Sequence, residues 1–222
     1  MNNEKTTSKK KSKKNFWKRF WKIAMFCVIG FFAFSLLLSF AYKFINPPIT
    51  ILMVQRTIEQ TFSSEREVRF KKDWVDIEDI SPNMVRAVVS TEDQMFYIHN
   101  GFDWKAIERA VEHNKTHKKT RGASTISQQT AKNVFLWPGR DWVRKGMEAY
   151  YTVLIETFWS KKRIMEVYLN VIEFGDGIYG IEAASRHYYH KSAKNLSFSE
   201  AKSLARILPN PLHRTPKKKR RH

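Results

Sequence analysis

The sequence predicts a mainly α-helical domain preceded by one transmembrane helix, and three observations carry that prediction. A run of twenty residues without a charge lies near the N-terminus, at residues 23–42. From Ile49 onward apolar residues recur at helical spacing and glycines are few. Helix-starting signals punctuate the same stretch: Ser81-Pro82, Asp103, Asp141, Ser160 and Ser197-x-x-Glu200. The length of 222 residues suits one compact domain plus accessories.

Residues 1–22 form a basic, cytoplasm-facing segment ahead of the anchor. Residues 23–42, IAMFCVIGFFAFSLLLSFAY, are long enough for the anchor itself, since roughly 20 apolar residues span a bilayer as a helix. Trp17, Trp21 and Tyr42 are placed for the two interfaces, and the positive-inside rule keeps the lysine-rich flank in the cytoplasm. The chain after Lys43 is therefore expected across the membrane. A cleaved signal peptide is the competing reading, but its apolar core is usually about 7–15 residues and AYKFINPP is a poor cleavage site. Asn46-Pro47-Pro48 then reads as a stiff, extended linker.

The formal net charge of +19 invites a nucleic-acid reading until it is located. Residues 1–22 carry +8 and residues 214–222 carry +6, which leaves +5 for everything between. A mildly basic middle between charged ends gives no argument for DNA or RNA, so no nucleic-acid partner is expected. One cysteine, Cys27, excludes an intrachain disulfide.

In the helix opened by Ser81 and Pro82, residues Met84, Val85, Val88 and Val89 form an apolar stripe. Met84, Val88 and Glu92 stand four apart on one line. Glu92 thus continues a buried line to the helix end, and its carboxylate is expected at the floor of a cleft. Partial burial raises a carboxyl pKa and makes the group a better proton acceptor near neutral pH. Asp103 caps a second helix carrying Trp104, Ile107 and Val111, and residues 115–122, KTHKKTRG, form a basic loop. Ser124 or Thr125 caps a helix on which Gln128 and Lys132 share a face, with Gln129 and Asn133 beside them. Asp141 opens the longest stretch, with Val143, Met147, Tyr150, Tyr151, Leu154, Ile155 and Phe158 expected in the core. Ser160 opens another, with Ile164, Val167, Tyr168 and Val171 inward. The glycines of EFGDGIYGIEAA, residues 173–184, predict a tight turn packed closely against something.

Two stretches carry chemistry. Residues 90–103, STEDQMFYIHNGFD, place Glu92 and Asp93 where a helix runs into a loop. Residues 122–133, GASTISQQTAKN, gather hydroxyls, two glutamines, a lysine and an asparagine without one acid. A carboxylate facing a cationic, hydrogen-bonding wall suits a phosphorylated sugar and the deprotonation of a hydroxyl. Asp93 is either that acid or a cap of its loop, and only Glu92 continues the buried line. His99 reads as a structural hydrogen-bonding residue. By spacing alone Glu148 pairs with Arg144 or Lys145 on its own helix. Glu166 and Glu173 read as helix-surface or turn-bracing acids. Residues 137–142, WPGRDW, are either a contact with lipid headgroups or ordinary packing.

Taken together, EDQMFYIHNGFD, GASTISQQTAKN, RKGME and KKRIMEVYLN are similar, in order and spacing, to four motifs of the peptidoglycan glycosyltransferases. These are the transglycosylase domains of class A penicillin-binding proteins and their single-domain relatives. The resemblance implies a lysozyme-like, two-lobed helical domain over residues 49–211 with a cleft between the lobes. It implies polymerisation of lipid II into β-linked glycan with inversion and loss of undecaprenyl pyrophosphate. The implied place is the bacterial inner membrane, with the N-terminus cytoplasmic and the domain periplasmic. Glu92 matches the family's general base, and Lys132 and Arg140 match its pyrophosphate-contacting pair. Ser124, Gln128, Gln129 and Asn133 supply neutral hydrogen bonds, with Asp93 beside them. Glu148 corresponds to a second essential acid, which holds a divalent ion (Mg2+ or Mn2+) or orients the cations. No organic cofactor is implied. The implied partners are lipid II, the growing glycan strand, membrane lipid, and proteins of cell-wall synthesis or division.

After LARILPNP the family continues through a further helical segment, whereas residues 212–222 here read as a basic tail, solvated or resting on anionic headgroups. Two rival functions fit less well. A lysozyme-like lytic enzyme acting on neutral glycan has no need of Lys132 and Arg140 opposite the acid. A membrane-anchored basic scaffold leaves an acid on a buried line unexplained.

Overall fold

The computed structural model describes residues 2–117, 120–139 and 141–216. Contacts divide the chain after Ala41 into two units. The first is a single helix, α1 (Asn2–Ala41). Its stretch Trp17–Ala41 is long and apolar enough to cross a membrane, and Phe26, Phe34 and Leu37 are exposed along it, which fits a single-pass anchor.

The second unit is mainly helical. It begins with α2 (Ile51–Thr61), the short strand β1 (Lys71–Lys72), α3 (Pro82–Glu92) and α4 (Trp104–Thr116). Then come α5 (Ile126–Phe135), α6 (Trp142–Phe158) and α7 (Lys161–Val171). A hairpin of β2 (Glu173–Gly175) and β3 (Ile178–Tyr179), then α8 (Ile181–Tyr189) and α9 (Phe198–Ala205), complete it. The strands form one small sheet in the order β1-β3-β2, with β1 parallel to β3 and β2 antiparallel to it.

Local chemistry explains the boundaries. Ser81, Asp103, Asp141, Ser160 and Ser197 each accept a backbone N–H of the first turn with their side chains, as the sequence predicts. Of the two candidates ahead of α5, Thr125 is the cap. Helix α5 packs on both α6 and α7, and α3 packs on α9. Ile126, Ala131, Ile155, Ile164 and Leu169 are fully buried in the first group, and Met84, Ala87, Val88, Ala201, Leu204 and Ala205 in the second. Burying a Leu, Ile, Val or Met side chain stabilises by about 1.5–3 kcal/mol, so these two seams fix where the ends of α3 and α5 meet.

Helix α6 departs from expectation at its start. Val143 is 71% exposed, and the inward line is instead Arg144, Glu148, Tyr151 and Ile155. An ion pair holds the position that apolarity assigned to valine. Trp104 and Val111 of α4 are also exposed, while Ala110 is its buried residue. The glycine-rich turn packs as expected, and the structure names its neighbours. A Cβ on Gly177 (φ 69°) would meet the Arg69 carbonyl oxygen at 2.0 Å, and one on Gly180 (φ 81°) the Asn170 carbonyl oxygen at 2.8 Å. The proline linker is clamped: Lys72 Nζ donates to the carbonyls of Pro47 (2.8 Å) and Pro48 (2.7 Å), and Arg163 donates to those of Tyr42 and Ile45.

Candidate active site

Helix α3 ends on Glu92, half-buried, with the apolar line of Met84 and Val88 behind it. Gln129 on α5 reaches across and donates from Nε2 to Glu92 Oε2 at 3.0 Å. Tyr168 of α7, fully buried, donates its hydroxyl to Gln129 Oε1 at 3.2 Å. The tyrosine thereby fixes which end of the amide faces the acid. Burial raises the Glu92 pKa above the ordinary carboxylate range, and the neighbouring Asp93 charge pushes the same way. The Gln129 hydrogen bond and the Arg214 charge oppose the shift.

Asp93 is buried and fully engaged. Its Oδ2 accepts the Ile126 N–H at 3.0 Å, at the first turn of α5, and its carboxylate faces His99 Nε2 at 2.9 and 3.0 Å. His99 Nδ1 accepts the Gly101 N–H at 3.0 Å, so the ring proton lies on Nε2 and is donated to Asp93. Both residues therefore pin the start of α5 to the end of α3, the structural role the sequence left open for them. Asp93→Asn leaves one oxygen for two donors. Its expected cost is about 1–3 kcal/mol of stability, readable as a lower midpoint in chemical denaturation.

Two cavities flank this bridge. One of about 180 Å³ is lined by Glu92, Asp93 and Ser124, with Arg109 and Arg121 on its rim. The other, of about 320 Å³, is lined by Gln129, Lys132 and Asn133, together with Arg56, Glu173, Trp137 and the segment Leu208–Leu212. Gln129 on the wall of the second, the cationic side that holds Lys132, is thus bonded to Glu92 on the wall of the first, the acidic side that holds Asp93.

A protein-family model described as Transglycosylase matches residues 57–222. The chain belongs to the transglycosylase family. It is 56% identical over 184 residues to a biosynthetic peptidoglycan transglycosylase of Bdellovibrio bacteriovorus, covering 83% of this chain and 73% of that protein. A protein of the same description from Haemophilus influenzae is 53% identical over 189 residues, 85% of this chain and 76% of its own. One from Caulobacter vibrioides is 54% identical over 171 residues, 77% of this chain and 72% of its own.

Within this transglycosylase chain the expected site residues divide into three groups. Glu92, Asp93, Ser124, Gln129, Lys132 and Asn133 line the two cavities. Arg140 lies outside the described residues. Gln128 and Glu148 line neither cavity. Gln128, expected to face substrate, is buried and closes its own helix: Oε1 accepts the Thr125 N–H at 3.0 Å in a capping box. Glu148 is buried with one oxygen on Arg144 Nη1 at 2.7 Å and the other on Lys145 Nζ.

That donor set does not fit a hard divalent ion. Such an ion needs several oxygen ligands, and here both oxygens of the one acid already face cations. Among the described residues no group of three His, Cys, Asp or Glu side chains gathers elsewhere to hold one. Among the charged lining residues, Arg121 was visible only as part of a basic loop, Glu173 was read as a turn-bracing acid, and Arg109 and Arg56 gave no local signal.

Proposed function

We propose that this transglycosylase polymerises lipid II into glycan strands with release of undecaprenyl pyrophosphate, using Glu92 as the general base. One observation carries the reading: a half-buried carboxylate of raised pKa, on the wall of one cavity, is hydrogen-bonded to Gln129, which lines a second cavity together with Lys132. An inverting displacement needs its proton acceptor and its leaving-group cation on opposite sides of the reacting carbon. The 4-hydroxyl oxygen of one sugar bonds to C1 of the next while the bond from C1 to the pyrophosphate oxygen breaks. The electron pair leaves with the pyrophosphate, the hydroxyl proton passes to Glu92, and the linkage inverts from α to β.

Glu92 must be ionised to accept the proton, and its raised pKa gives it more basicity than an exposed acid. Lys132, joined by Arg140, stabilises charge building on the departing pyrophosphate. Gln129 and Asn133 on the cationic side and Ser124 on the acidic side supply neutral hydrogen bonds. Gln128 and Asp93 act one step back, by fixing the end of α5. Glu148 acts by holding Arg144 and Lys145, and no step is routed through a metal.

Anchoring by α1 in the inner membrane, with the N-terminus in the cytoplasm and the domain in the periplasm, places the cleft where a lipid-linked sugar resides. Membrane lipid and proteins of cell-wall synthesis or division are the partners this placement favours. Incubation of the purified full-length chain with labelled lipid II is expected to give polymer that lysozyme digests. Shortening of preformed glycan without any polymer from lipid II would contradict the reading.

A further inference from the structure

The cavity that holds Lys132 has lining residues that the reaction as described does not use. Arg56, in the middle of α2, and Glu173, the first residue of β2, both line it together with Lys132 and Gln129. Glu173 pairs with Tyr179 across the hairpin, so the two side chains project from one face. All three side chains have unsatisfied polar atoms. Arg56 Nε lies 3.5 Å from Glu173 Oε1, and neither atom, nor the Tyr179 hydroxyl, has a hydrogen-bond partner among the described residues, although all are buried. Glu59 accepts from Arg56 Nη1 at 2.7 Å, and Nη2 makes no hydrogen bond among the described residues. Arg56 Nε and Glu173 Oε1 are left to each other as an ion pair, and the Nη2 edge of the guanidinium is the donor that remains for a ligand in the cavity.

The ligand chemistry follows from the charges. The pyrophosphate gains charge as it departs, so a cation beyond Lys132 and Arg140 adds to its hold, and a planar guanidinium with a free edge is suited to phosphate oxygens. Burial pushes the Glu173 carboxyl up, and the Arg56 charge beside it opposes the shift. We propose that Arg56, oriented by Glu173, is an additional contact for the pyrophosphate of the lipid-linked substrate. Lys132 and Arg56 then hold that group from two different elements, α5 and α2, that line one cavity. The proposal rests on the glycosyl-transfer reading and adds to it a positioning device contributed by α2.

The test uses the full-length chain in detergent, with two readouts: KM and kcat for lipid II, and direct titration of undecaprenyl pyrophosphate. Arg56→Gln is expected to raise KM by about 10-fold or more, weaken pyrophosphate binding in parallel and lower kcat as well, because a cation on the departing group is lost. Arg56→Lys should recover part of each loss, and Glu173→Gln should raise KM severalfold. Binding and KM equal to the parent's in Arg56→Gln would overturn the proposal. So would a loss of kcat and melting temperature that Arg56→Lys does not relieve, because that pattern is structural. The titration needs no turnover, so a parent that binds pyrophosphate through Arg56 but makes no polymer supports this site while refuting the reaction.

Discussion

Glu92→Gln is expected to lower kcat for lipid II by about 10²–10⁴-fold, the range a positioned general base contributes. Glutamine keeps the shape of the side chain and its contact with Gln129, so the fold should survive. Stability should even move the other way near neutral pH. The folded chain holds the Glu92 proton more tightly than the unfolded chain, because burial raises its pKa. Burying the anion therefore costs stability above the ordinary carboxylate range, and the cost disappears as pH falls below it. The glutamine variant should melt no lower than the parent near neutral pH, and any advantage should close in acid. Thermal scans at the two pH values, run beside the rate assay, check both halves.

Lys132→Ala is expected to lower turnover by about 10²–10³-fold, as when one preorganised donor to a developing anion is removed. Lys132 is half-buried and lines the larger cavity together with Asn133 and Arg56. Stability should change far less than rate, since the surrounding seam of α5 with α6 and α7 is made by Ile126, Ala131, Ile155 and Leu169. Lys132→Arg should return part of the rate. A circular-dichroism melt beside each rate separates lost chemistry from lost fold, and an unfolded alanine variant would contradict the assignment.

Much of this was legible because it is local. A cap and its first turn lie within four residues, so Ser81, Asp103, Asp141, Ser160 and Ser197 could be read directly. The line from Met84 through Val88 to Glu92 is likewise a matter of helical period, and it placed the acid correctly at a half-buried end. The capping box of Thr125 and Gln128 was also available, since T-I-S-Q has its pattern. The expected substrate contact at Gln128 drew attention away from it.

What escaped depends on contacts between distant parts of the chain. Nothing near Asp93 announces that it accepts the Ile126 N–H, and nothing near Glu173 announces Arg56. Val143 was placed inward because it is apolar, but the phase of α6 is set by Tyr151 and Ile155 further along. That phase carries Arg144 and Glu148 inward, where Nη1 of the arginine pairs with one oxygen of the acid. The ion pair at that position was readable as a spacing, and its burial was not.

The most direct test of Glu92 as the base is kcat/KM for lipid II measured against pH, for the parent and for Glu92→Gln. The parent should gain rate with rising pH through an apparent pKa above the ordinary carboxylate range, and the small residual rate of the variant should lack that limb. A variant that polymerises as fast as the parent, or that keeps the same limb, would contradict the account.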